Sequence, residues 1–250
     1  PEFLEFFFAC QLCGLIPVAL PASIGLGSHE AFVGQLRGLL QNCGAQVAIA
    51  PRDFLRFLSE AGAGLDLAFL GTPEDFRELP SDRRPVEPLG PEEPAYIQYT
   101  SGSTRFPRGV VVNQSAVMSN LAGIVRYGLE VGEGDRCVSW LPYYHDMGLV
   151  GFVLGPLASQ LSVDYLGTQD FAMRPRKWLE LISQNGGTIS YSPPFGYDLC
   201  ARRAAREDVS RFDLRSWRVA GVGAEPVPAG PLKRFAEVFG PAGFDEQSFL

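Results

Sequence analysis

The chain has 250 residues, 46% of them hydrophobic and 20% charged, which allows a large core and excludes a disordered polyelectrolyte. Its 28 acids against 21 bases leave a formal charge of −7, which excludes a general nucleic-acid binder but leaves room for a local basic patch on a phosphate. Only Lys177 and Lys233 are lysines and neither follows a glycine, so no Walker-type GxxxxGK[ST] loop is present.

Phe6 to Gly27 form an uncharged run of 22 residues, long enough by length alone to span a bilayer. Gly14, Pro17, Pro21, Gly25 and Gly27 break it into a helix over 3–13, a strand over 16–20 and a turn, so no membrane span is expected. The start carries Glu2 and Glu5, no basic residue and no initiator Met, unlike a signal peptide. It reads instead as the start of a fragment. Ser28 then predicts an N-cap, with Phe32, Leu36, Leu39 and Leu40 as an apolar helix face that ends at Gly44. His29, at that helix start, reads as exposed. A strand follows at 47–50, a helix around Phe54, Leu55 and Leu58, and a strand at 67–70.

Five prolines (80, 85, 88, 91 and 94) make 80–94 an extended connection between a first α/β part, 1–79, and a second, 95–250. Strands are expected at 95–99 and 109–113 around a polar loop, then a helix over 115–127 and a strand at 137–141. After a loop, an apolar helix starts near 149. Further strands fall at 162–166, 188–191 and 218–222, with helices at 176–184, 197–206 and 229–239. Such alternation predicts an α/β fold with mostly parallel sheets flanked by helices. The five cysteines (10, 13, 43, 137 and 200) are odd in number and scattered. They read as reduced, cytoplasmic thiols. Cys10 and Cys13 form a C-x-x-C with no second pair and no nearby His, so no metal site is expected.

Three segments carry chemistry. YTSGSTRFPRG at 99–109 places four serine and threonine hydroxyls, two glycines and two arginines between two strands. Small hydroxylated residues offer donors with little bulk, and guanidinium groups add donors that keep their charge, as a polyanion needs. The same residues also suit an ordinary surface hairpin. WLPYYHDMGL at 140–149 puts His145 after a strand, where open α/β sheets place their sites. A His145–Asp146 hydrolase dyad is disfavoured, because neighbours in sequence seldom face each other and no G-x-S-x-G elbow supplies a nucleophile. VAGVGAEP at 219–226 runs from a strand into glycines, but Pro226 replaces the third glycine of a dinucleotide fingerprint.

Together and in this order, the three segments resemble the acyl-adenylate-forming superfamily of acyl-CoA synthetases, luciferases and amino-acid adenylation domains. STR at 103–105, LPYYHDMGLVG at 141–151, GAEPV at 223–227 and SPPFGYDLCARR at 192–203 are similar in particular to fatty acyl-AMP ligases. The resemblance covers nearly the whole chain and implies the large N-terminal domain of such an enzyme, incomplete at both ends and without the mobile C-terminal subdomain that carries a catalytic lysine. It implies the reaction of a fatty acid with ATP and Mg²⁺ to give acyl-AMP and pyrophosphate. Thr100, Ser101, Gly102, Ser103 and Thr104 would hold the phosphates, with Arg105 and Arg108 as helpers. Arg108 keeps a positive charge where the superfamily has a lysine, but as a wider, flatter cation. His145 would stand between the α-phosphate and the carboxylate. Gly223, Ala224, Glu225 and Pro226 would line the adenine. Met147, Gly148, Ser192, Pro194 and Gly221 would surround the acyl chain, although each of these five also suits a plain core position. An acyl carrier protein is the expected acceptor. The alternatives are an acyl-CoA synthetase and, for this piece alone, a nucleotide- or acyl-binding fragment without turnover.

Overall fold

The computed structural model describes residues 2–21, 28–81, 89–100, 107–204 and 209–250. They divide into two compact units, Pro1–Val117 and Met118–Leu250. The described part of 80–94 therefore lies inside the first unit.

The first unit opens with α1 (Glu2–Leu12), an 11-residue helix that ends at a glycine turn, far short of a bilayer span. Among the described residues no helix is long and apolar enough to cross a membrane. The strand expected at 16–20 reduces to a single parallel bridge between Val18 and Ile97. Helix α2 (His29–Asn42) starts as expected: the Ser28 side chain accepts from the Ala31 N–H at 3.2 Å. Leu36, Leu39 and Leu40 face inward. His29 is not simply exposed, because it pairs with Glu60 and packs beside Phe57. Strand β1 (Val47–Ile49), helix α3 (Leu55–Gly62) and strand β2 (Phe69–Gly71) form a parallel β–α–β unit. Leu36, Leu40, Leu58 and Ala61 close its core. The short helix α4 (Pro73–Arg77) was not expected. A capping box starts it, in which Thr72 and Asp75 satisfy each other's backbone N–H, with Pro73 pre-set at the first position. Strands β3 (Pro94–Tyr99) and β4 (Gly109–Asn113) pair antiparallel, as a hairpin around the polar loop. Helix α5 (Gln114–Gly123) crosses from the first unit into the second.

The second unit holds a four-stranded, all-parallel sheet of β5 (Arg136–Ser139), β6 (Ser162–Tyr165), β7 (Ile189–Ser192) and β8 (Val219–Val222), in the order β6-β5-β7-β8. The chain between strands is helical: α6 (Asp146–Leu149) and α7 (Gly155–Ser159) before β6, then α8 (Thr168–Met173) and α9 (Arg176–Asn185), then α10 (Pro194–Ala204). After β8 comes α11 (Ala229–Phe239). A π-helical turn over Val150–Leu154 joins α6 to α7. Strands buried on their faces need apolar runs, and VSW at 138–140 and VAGV at 219–222 supply them. Trp178, fully buried, donates its indole N–H to Ser190 Oγ at 2.7 Å and packs against Phe171, Tyr197 and Trp217. The α/β architecture with mostly parallel strands is as the sequence predicts.

One cluster locks the amino-terminal edge of this sheet. Asp135, Thr188 and Arg218 each immediately precede a strand, β5, β7 and β8. Arg218 grips Asp135 with two bonds, from Nε to Oδ1 at 2.8 Å and from a terminal nitrogen to Oδ2 at 2.5 Å. Thr188 donates to Asp135 Oδ1 at 2.7 Å and the Gly132 N–H to Oδ2 at 2.9 Å. The Arg218 hydrogen bonds and these further donors hold the Asp135 carboxyl at a pKa of about 2.

Candidate functional site

In a parallel sheet, consecutive carboxyl-terminal strand ends emerge along one edge, where ligands of open α/β folds bind. Neighbouring strands β5, β7 and β8 end at Ser139, Ser192 and Val222. The segments that follow them, 140–149, 193–196 and 223–226, are those singled out in the sequence. Residues far apart in the chain thus share one rim of the second unit.

After β5 the chain turns through Pro142, whose carbonyl accepts from the His145 N–H at 3.2 Å. His145 is the N-cap of α6. Its Nδ1 lies 3.2 Å from the Met147 N–H and 2.7 Å from Asp146 Oδ1, so these neighbours do face each other, contrary to expectation. The reason is local. His145, at the N-cap, is extended and Asp146 opens the helix, so both side chains reach back toward the Met147 N–H of the first turn. The Met147 N–H also reaches Asp146 Oδ1 at 2.8 Å. The hydrogen bond to Asp146 raises the pKa of His145, and the imidazole lowers that of Asp146. The pair keeps His145 cationic to a higher pH than a free imidazole and fixes its ring through Nδ1.

The five residues expected around an acyl chain are mostly buried, as plain core positions are too. Gly148, Ser192, Pro194 and Gly221 are buried and Met147 is half-buried. Packing explains two of the glycines: a Cβ on Gly148 would overlap the Pro142 carbonyl, and one on Gly221 would overlap the Tyr191 ring. Tyr197 donates its hydroxyl to the Gly221 carbonyl at 2.9 Å and so fixes α10 against β8. By contrast, Ala224, Glu225 and Pro226 are exposed and Gly223 is half-buried. Met147 joins the two sets, with its Cε 3.5 Å from where a Cβ would stand on Gly223.

Two features here were not foreseen. Ala224 has φ +69°, the left-handed region that a side chain disfavours. Glu225 Oε1 accepts from the Phe195 N–H at 3.2 Å, so its carboxylate sits on the first turn of α10. Phe195 itself is exposed, and its ring meets that of Trp140 edge to face at 5.8 Å. The buried Trp140 ring stacks flat on Phe171 at 3.8 Å, and its Nε1 has no hydrogen-bond partner among the described residues.

In the first unit, the polar loop is framed by its ends. The Thr100 N–H donates to the Arg108 carbonyl at 3.0 Å, and the Arg108 N–H reaches Thr100 Oγ1 at 3.4 Å. Ser101, Gly102, Ser103, Thr104 and Arg105 lie outside the described residues. These contacts close the β3–β4 hairpin at the base of the loop.

A sequence profile of the family described as AMP-binding enzyme matches residues 1–245. The chain belongs to this family. A protein of Caulobacter vibrioides, provisionally named an acyl-CoA synthetase, is 44% identical over the whole chain, which spans 43% of that protein. A medium-chain-fatty-acid–acyl-carrier-protein ligase of Teredinibacter turnerae is 40% identical over 65% of the chain and 25% of its own length. A chain solved in studies of fatty acyl-adenylate ligases from E. coli and L. pneumophila superposes with a TM-score of 0.94 at 50% identity. That match covers 99% of this chain and 45% of the solved one. The chain thus spans less than half the length of these relatives.

Proposed function

We propose that the chain is the nucleotide- and acyl-binding part of a fatty acyl-AMP ligase, which activates a fatty acid with ATP and passes the acyl group to a carrier protein. The observation that carries this is the 0.94 TM-score at 50% identity to a chain from the fatty acyl-adenylate ligase studies. The arrangement of the carboxyl-edge segments supports it.

In the reaction a carboxylate oxygen attacks the α-phosphorus in line. An O–P bond forms, the bond to the β-phosphate oxygen breaks, and pyrophosphate leaves with that electron pair. The protein's part is position and charge. Thr100, Ser101, Gly102, Ser103 and Thr104 would donate to the departing phosphates, with Arg105 and Arg108 neutralising charge. His145, oriented by Asp146, would donate where the carboxylate and α-phosphate meet. Gly223, Ala224, Glu225 and Pro226 would border the adenine. Met147, Gly148, Ser192, Pro194 and Gly221 would remove the acyl chain from water, worth about 0.8 kcal/mol per methylene. Among the described residues no group of three or more His, Cys, Asp or Glu gathers, so the chain offers no cage for Mg²⁺ there. The ion fits instead as a companion of the triphosphate oxygens. The thiol of a carrier-protein pantetheine is the proposed acceptor, and the cytoplasm the proposed place of work.

The Caulobacter relative's name favours a second reading, transfer to free coenzyme A. The test uses the complete protein with ATP, Mg²⁺ and a panel of medium- and long-chain fatty acids, with products followed by mass spectrometry. Acyl-AMP that persists with coenzyme A and moves to a pantetheinylated carrier is the expected result. Acyl-CoA would establish the second reading. No adenylate from any acid would overturn both.

A further inference from the structure

The carboxyl half of α10 borders a cavity that is separate from the rim described above. It encloses about 200 Å³, with the buried Leu179, Cys200, Phe212 and Phe239 as its floor and the exposed Arg174, Arg176 and Arg203 at its mouth. None of the residues proposed for the phosphates, the adenine or the acyl chain lines it. Two bonds hold its walls together. Arg203 Nη1 donates to the Met173 carbonyl at 2.6 Å, and the Cys200 thiol to the Pro175 carbonyl at 3.7 Å, which joins α10 to the turn between α8 and α9. Burial pushes the Cys200 thiol up, so the floor carries no charge.

The charges around the mouth are unevenly matched. Arg176 faces Glu180 at 3.7 Å, Lys177 faces Asp170 at 3.0 Å and Arg202 faces Asp198 at 2.6 Å. Arg174 and Arg203 have no carboxylate partner among the described residues. Helix α9 adds to the same positive field, because it starts beside Arg174 with no side-chain cap and no acid in its first turn. Two unmatched guanidinium groups thus stand over an apolar interior, in a chain whose formal charge is −7. That combination selects a molecule with an anionic head and an apolar tail. A volume of about 200 Å³ holds about seven groups the size of a water, at about 30 Å³ each, which suits a tail of about six to eight carbons with its head at the mouth.

We propose that this cavity is a second binding site for a medium-chain fatty carboxylate, with Arg174 and Arg203 on the carboxylate and the chain against Leu179, Phe212 and Phe239. It goes beyond the ligase reading and does not depend on it. Helix α10 carries Pro194 of the acyl set at its start and Arg203 near its end, so one helix serves both places.

The test is octanoate binding to the complete protein without ATP, read by hydrogen exchange of the peptides covering 173–179 and 200–204. Saturating octanoate is expected to slow exchange there at least about threefold in the native protein and in Arg174→Lys, which keeps the charge. Arg174→Glu is expected to need about 10-fold more octanoate for the same effect. Arg174 is exposed, so neither substitution disturbs the core. Octylamine, with the opposite charge, and acetate, without the chain, are expected to slow nothing. No slowing in the native protein, an unchanged octanoate requirement in Arg174→Glu, or equal slowing by octylamine or acetate would overturn the proposal. Slowing confined to 140–149 and 192–196 would overturn it too and return the fatty acid to the rim alone. If octanoate slows 173–179 as expected while the protein forms no adenylate from any acid, the ligase reading falls and this site stands.

Discussion

Replacing Asp135 by Asn tests the cluster at the amino-terminal edge of the sheet. The native carboxyl titrates at about 2 against an ordinary 3.8, because Arg218, Thr188 and the Gly132 N–H all hydrogen-bond its charged form. If the whole shift is native-state stabilisation, it is worth about 2.4 kcal/mol at neutral pH. The Asp135 side chain is 6% exposed but Arg218 is 40% exposed, so solvent screening reduces the expected loss to about 1–2 kcal/mol. The sign follows from a lowered pKa. The contribution is complete above the unfolded carboxyl's 3.8 and disappears as pH falls through about 2, so about half of it is gone at pH 3. The three tryptophans, Trp140, Trp178 and Trp217, all lie in the second unit, so their fluorescence during urea unfolding reports this sheet alone. The expected result is a lower midpoint at pH 7 and a smaller gap between variant and native chain at pH 3. An equal gap at both pH values, or none at pH 7, would refute the assignment of the carboxyl's low pKa to this cluster.

Asp146→Asn should lower the pKa of His145 towards that of a free imidazole, read by NMR titration of the ring. If the cation serves adenylation, the native rate falls as pH rises through the raised pKa, and the variant's fall comes at lower pH. An unshifted titration would show that Asp146 does not set the charge of His145. Gly221→Ala, which forces a methyl into the Tyr191 ring, should cost about 1–3 kcal/mol in thermal or urea unfolding and raise fatty-acid KM. A native-like midpoint would mean that Tyr191 swings away freely. Ala224→Gly should relieve the left-handed strain and gain up to about 1 kcal/mol, measured as a higher unfolding midpoint. Thr104→Ala and Arg105→Ala in the complete protein should each lower pyrophosphate exchange at least about 10-fold without altering the unfolding midpoint. Native exchange rates in both would remove these residues from the phosphate site.

Much of the fold was legible because its signals are local. Ser28 caps the helix it announces, and the apolar runs near 138, 189 and 219 are strands. The segments that follow them were recognisable for the same reason, since glycine, proline and histidine mark strand exits. The structure departs from the sequence signals in two ways. Thr72-Pro73-Glu74-Asp75 is a readable capping box, and α4 was missed although the signal was present. The strand expected at 16–20 has suitable residues, but pairing depends on a neighbour, and only Val18 finds one. Other features were not readable at all. Asp135 and Arg218 are 83 residues apart, and Glu225 meets Phe195 across 30. Nothing in either local sequence announces its partner, because parallel β–α units set their separation. The His145–Asp146 contact runs the other way: neighbours in sequence seldom face each other, but an N-cap geometry brings these two together.

The cluster of Asp135, Thr188 and Arg218 lies at the opposite end of the strands from the segments assigned to chemistry. This separates two kinds of evolutionary freedom. If the proposed function holds, substitutions at 140–149, 193–196 and 223–226 can retune which molecule is held while the strands stay in register, because their alignment is secured at the opposite strand ends. A lineage that changed its substrate would therefore show turnover at the carboxyl rim and constancy at these three positions. The sheet can be inherited while its trade changes.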